Sequence, residues 1–86
     1  MEELVEKPKL AYMDMIDFIA RGSTPSEVAN FRPSDEAQRR VSELLGKNSA
    51  GEIAEAELSE LDHYLELEHI MRMAKVRARQ LLAEAG

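Results

Sequence analysis

The sequence predicts an all-α protein: one small helical domain over residues 1–86, with a helical hairpin and a long C-terminal helix that pairs with a second copy. Three observations lead there. Apolar residues recur at intervals of three and four rather than two, the period of a helix face. Pro, Gly and Ser/Thr caps divide the first half into short pieces. The last third contains neither Gly nor Pro until Gly86 and consists mostly of strong helix formers.

Residues 1–8 read as a frayed acidic lead, and residues 9–46 as a set of short helices. Pro8 suits a helix start, where its missing N–H is not needed. From Lys9 to Arg21 the residues Tyr12, Met15, Ile16, Ile19 and Ala20 share a face, widened by Met13 and Phe18. Gly22 is the stop. Thr24-Pro25-Ser26-Glu27 is a capping box with Pro at the first helical position, opening a short helix that ends near Phe31. Pro33 forces Arg32 out of helical geometry. Ser34 then caps a helix that carries Asp35 and Glu36 in its first turn and buries Ala37, Val41, Leu44 and Leu45. Gly46 to Gly51 reads as a turn.

The long helix is expected over residues 54–84. Tyr64, Leu67, Met71, Ala74, Ala78 and Leu81 alternate in steps of three and four, and Leu61, Leu65, Ile70, Met73 and Val76 broaden that seam. Such a helix is about 45 Å long. A compact domain of this size is roughly 30 Å across. The helix should overhang its own domain, and an overhang that stays apolar needs a cover, which a second copy supplies. Small residues at 74 and 78 would let a neighbour approach closely.

Composition narrows the function. With 44% apolar and 33% charged residues the chain is too apolar for disorder and too charged to span a membrane. Met1-Glu2-Glu3 is acidic where a secretory leader would be basic, and there is no Cys, so a cytoplasmic location is expected. A net charge of −6 opposes nucleic-acid binding by the protein alone. The charge is sorted along the last helix. Glu52, Glu55, Glu57, Glu60, Asp62, Glu66 and Glu68 come first, and Arg72, Lys75, Arg77 and Arg79 follow. Complementing the helix dipole accounts for this sorting. Antiparallel pairing, or docking of a charged partner, accounts for it equally.

Two constellations could carry chemistry. Asp62, Glu66 and His69 share a helix face, and Glu66-x-x-His69 has the spacing of carboxylate-bridged di-iron bundles. That site would need further carboxylates, from Asp14, Asp17 or Glu43. With only two His and no Cys, solvated polar residues are the plainer reading, and no cofactor is expected. Thr24 to Val41 has the outline of a helix-turn-helix with Arg39 and Arg40 on its second helix. Two bases against an acidic background favour a packed helical hairpin over a DNA reader. No nucleophile set and no phosphate-binding glycine loop appears.

The stretches Ile16-Asp17-Phe18-Ile19 through Val41, and Ser59-Glu-Leu-Asp-His-Tyr-Leu-Glu-Leu-Glu-His-Ile-Met-Arg-Met-Ala-Lys-Val-Arg-Ala-Arg79, together resemble a group of small antitoxin-like helical proteins of bacteria. These are frequent in cyanobacteria and are encoded beside nuclease-like toxins. The likeness runs from about residue 16 to 82. It departs where such proteins often have Leu-Ser-Pro-Glu-Glu before the long helix; here that place reads Ile53-Ala54-Glu55-Ala56-Glu57, without the cap. The resemblance implies a toxin-like partner from a neighbouring gene; the missing nucleophile set and phosphate loop point to no catalysis by this chain. Read with the charge and apolar patterns, it nominates Tyr64, Leu67, Met71, Arg72, Lys75, Arg77 and Arg79 as partner-binding residues. A metal-binding helical protein using Asp62, Glu66 and His69, and a DNA-binding regulator, are the alternatives.

Overall fold

The computed structural model describes residues 10–85. The acidic lead expected over residues 1–8, with the Pro8 helix start, lies outside them. Within them the chain forms α1 (Met13–Arg21), α2 (Pro25–Ala29), α3 (Asp35–Ala50) and α4 (Glu55–Ala85), with no strand.

Local chemistry sets most boundaries. α1 begins at Met13 rather than Lys9, because the chain before it is used in another way. The Ala11 N–H donates to Glu60 Oε2 at 2.8 Å, and Tyr12 occupies the cap position without a side-chain bond. Gly22, at φ 77°, ends α1 and donates its N–H to the Ile19 carbonyl. The capping box of α2 is complete. The Glu27 N–H donates to Thr24 Oγ1 at 3.2 Å, and the Thr24 N–H donates to Glu27 Oε1 at 2.9 Å. Ser34 Oγ accepts from the Ala37 N–H at the start of α3. Ser34 also donates, through its N–H and its hydroxyl, to Asp14 Oδ2 on α1. One serine therefore caps a helix and ties it to another.

α3 corrects the turn expected at Gly46. The helix passes through Gly46 and ends at Gly51, whose φ of 73° is left-handed. There the Gly51 N–H donates to the Asn48 carbonyl and the Glu52 N–H to the Lys47 carbonyl, a paired closure that satisfies the last carbonyls. α4 has no Ser or Thr at its start, yet half a cap forms. The Glu57 carboxylate reaches back to accept the Ala54 N–H at 3.0 Å.

The core is small. Ala11, Met15, Leu44, Leu61, Tyr64 and Met71 are buried together, with Phe18, Val28, Phe31, Val41, Ile53 and Leu67 packed around them. The Phe18 and Phe31 rings meet at 4.6 Å, joining α1 to the end of α2. α4 is the spine, and α2 makes the most extensive contact with it, ahead of α3 and α1. The shape is a flat plate, 48 × 39 × 18 Å, with a radius of gyration of 15.6 Å. A compact domain of this length would have about 12 Å. The longest extent matches the length of α4, about 46 Å, and the helix is still covered at Ala78, 3% exposed, so the expected overhang is at most its last two turns.

Candidate functional site

One face of α4 serves the chain's own core. Tyr64, Met71 and Ala78 lie on it and are nearly fully buried, and Leu67 is half-buried beside them. This revises the expected seam. Tyr64 and Met71 are expected to meet a partner outright; they pack inside the chain, because α1, α2 and Phe31 just after it fold onto the core that holds them. The small residues at 74 and 78 serve a close approach within the chain, Ala78 being 3% exposed.

Tyr64 and Met71 nonetheless form the floor of an open recess of about 360 Å³. Met15 and Phe31 complete the apolar part. Arg32, Arg72 and Lys75 stand on the rim with Gln38 and Glu68. Sequence reasoning had nominated Tyr64, Met71, Arg72 and Lys75, and the fold brings these four together. It missed Phe31, Arg32, Pro33 and Gln38. The available signal was Arg32-Pro33, an extended dipeptide that carries one cation and one aromatic neighbour across to α4. Arg72 also reaches Glu68 at 3.3 Å, one turn back on the same helix. Burial raises the Tyr64 phenol above its ordinary value, and the Glu68 charge adds to this, so the floor stays neutral. An apolar floor with three cations and one carboxylate on its rim leaves a net positive charge, which suits an acidic segment that carries an apolar side chain.

The other nominated cations stand apart. Arg77 bonds Gln80 at 3.2 Å and lies 3.6 Å from Glu84, and Arg79 is exposed. Leu67 lines a second, more apolar groove with Tyr12, Ile16, His63 and Ile70. Tyr12 and His63 meet there edge to face at 5.4 Å.

The metal alternative finds no convergence. Among the described residues no three His, Asp or Glu side chains come together as a metal site. Glu66 lies 3.5 Å from His63, Asp14 is bonded by Ser34, and Glu43 is paired with Arg40. The DNA alternative loses one of its two bases. Arg40 is taken by Glu60 in two bonds, Nε to Oε2 at 3.1 Å and Nη2 to Oε1 at 2.9 Å. Glu60 is the buried charge that sequence reasoning did not mark, 5% exposed and held by Arg40 and the Ala11 N–H. Burial pushes its carboxyl up, but those bonds outweigh it and leave the carboxyl below the usual glutamate value. The Arg40 guanidinium is raised in turn, first by its bond to Glu60.

No helix among the described residues is long and apolar enough to cross a membrane. No family model, curated protein or solved structure matches the chain.

Proposed function

We propose that the chain is a non-catalytic protein-interaction module of antitoxin or immunity type, acting in the cytoplasm on the toxin-like product of a neighbouring gene. The recess carries this reading. In a chain of net charge −6, three cations gather with a single carboxylate, Glu68, around an apolar floor where α4 meets the segment after α2. An acidic segment of the partner, bearing one large apolar side chain, would fill it. The cations steer and orient, and the buried apolar group supplies most of the affinity. Inhibition would be steric, by covering the partner's working groove.

Co-expression with the adjacent gene product tests this. The unmodified chain should co-purify with that product and relieve its toxicity. Arg72→Glu with Lys75→Glu should abolish both, while circular dichroism stays unchanged, because exposed charges contribute only about 0–1 kcal/mol each to folding. A chain that neither binds the product nor protects the cell overturns the reading.

A further inference from the structure

The face of α4 turned away from the core is not polar. Leu58, Leu65, Met73 and Val76 are between 39% and 55% exposed there. Leu58, Asp62, Leu65, His69, Arg72, Val76, Arg79 and Ala83 follow one another in alternating steps of four and three, so they form a continuous stripe along the helix. The stripe runs about 38 Å from Leu58 to Ala83. Its order is self-complementary about the middle of the helix. With two such helices antiparallel and centred between Ile70 and Met71, Leu58 faces Ala83 of the second copy, Asp62 faces Arg79, and Leu65 faces Val76. At the centre His69 faces Arg72, whose charge Glu68 already answers at 3.3 Å; the Leu58–Ala83 and Leu65–Val76 layers are apolar against apolar, and the Asp62–Arg79 layer is attractive. Parallel pairing would set Asp62 on Asp62 and Arg79 on Arg79 instead. Asp62 and Arg79 make no ion pair within the described chain, so both are available.

We propose that this outer stripe is the interface with a second copy of the chain, paired antiparallel in that register. The proposal extends the reading of the chain as an interaction module by naming the occupant of a surface that meets the recess at Arg72. The attractive Asp62–Arg79 layer and the run of half-exposed apolar side chains at Leu58, Leu65 and Val76 both argue for it. The small core argues in the same direction, since few large side chains are fully buried within one copy.

The absence of Cys makes the test clean. Leu65→Cys and Val76→Cys chains are prepared separately, then oxidised alone and mixed. The mixture should give a disulfide-linked dimer rapidly. Each chain alone should not, because like positions lie about 16 Å apart in the antiparallel pair, beyond the reach of a disulfide. Strong self-linking of Leu65→Cys would show parallel pairing and overturn the proposal, as would a mixture that fails to link. Asp62→Arg and Arg79→Asp should each weaken dimerisation about tenfold in sedimentation, and the double exchange should restore it. A chain that sediments as a monomer and still captures the neighbouring gene product overturns the second copy but leaves the recess reading standing. A cross-linked dimer that captures nothing supports the second copy and overturns the recess reading.

Discussion

Glu60 sits on the inward face of α4 one turn before Tyr64, where an apolar residue would extend the seam. Its charge is kept because every direction is answered: Arg40 takes both oxygens and the Ala11 N–H shares one of them. The same bonds fix the chain entering α1 against α4, which is why α1 starts late. The folded carboxyl lies below its unfolded value, so it favours the folded state above the ordinary glutamate range. That contribution is lost as pH falls through the folded value. Glu60→Gln should therefore destabilise the protein at pH 7 by roughly 3 kcal/mol, the low end for removing one member of a buried pair, since Arg40 keeps part of its side chain in water. It should also flatten the fall in stability below about pH 4.5. Denaturant titrations at a series of pH values measure both effects; an unchanged acid limb would show that Glu60 is not the group being protonated. Composition could not reveal this residue. It reads as one more acid in an acidic half-helix, and only the fold places Arg40 beside it.

At the scale of elements, what depends on near neighbours was legible. Thr24 with Glu27, and Ser34 with Ala37, are caps written within four residues, and both form. Gly46 was not legible as helix, because the rule that glycine ends a helix competes with tertiary anchoring that sequence does not display. Leu44 is fully buried just before it, Lys47 just after it is held by Glu57 on α4, and Gly51 supplies the left-handed closure. A stop signal existed, five residues later than the first candidate. The two glycines thus carry opposite expectations. Gly46 is in helical geometry with nothing within 4 Å of an added Cβ, so Gly46→Ala should stabilise by about 0.5–1 kcal/mol. Gly51 has open space as well, but its φ of 73° strains any side chain. Gly51→Ala should destabilise by about 1 kcal/mol. Thermal melts of the two variants should move in opposite directions; a loss at Gly46→Ala would return the turn to that position.

At the scale of the molecule, the long helix could be read from a Gly- and Pro-free stretch of 31 helical residues. Which side of it faces inward could not. α4 is apolar both on the Tyr64–Met71 side and on the Leu65–Val76 side, and the pattern alone does not rank them. The fold buries the first and exposes the second, separating two surfaces the sequence had merged. The recess opens beside Met71 and Lys75, whereas the outer stripe passes through Leu65 and Val76 around the helix from them. A dimer joined by the stripe therefore carries two open recesses, and partner binding should add to dimerisation rather than compete with it. Light scattering on the purified complex should give two copies of this chain with two of the partner. Leu65→Glu forces a carboxylate into an apolar layer and should reduce the assembly to one of each, with the partner still bound. Arg32→Glu with Lys75→Glu, both on the recess and off the stripe, should do the reverse, leaving the dimer and losing the partner. If instead Leu65→Glu releases the partner, the two surfaces overlap. The partner would then lie across α4 itself, the one arrangement in which a second copy and a toxin-like protein exclude each other.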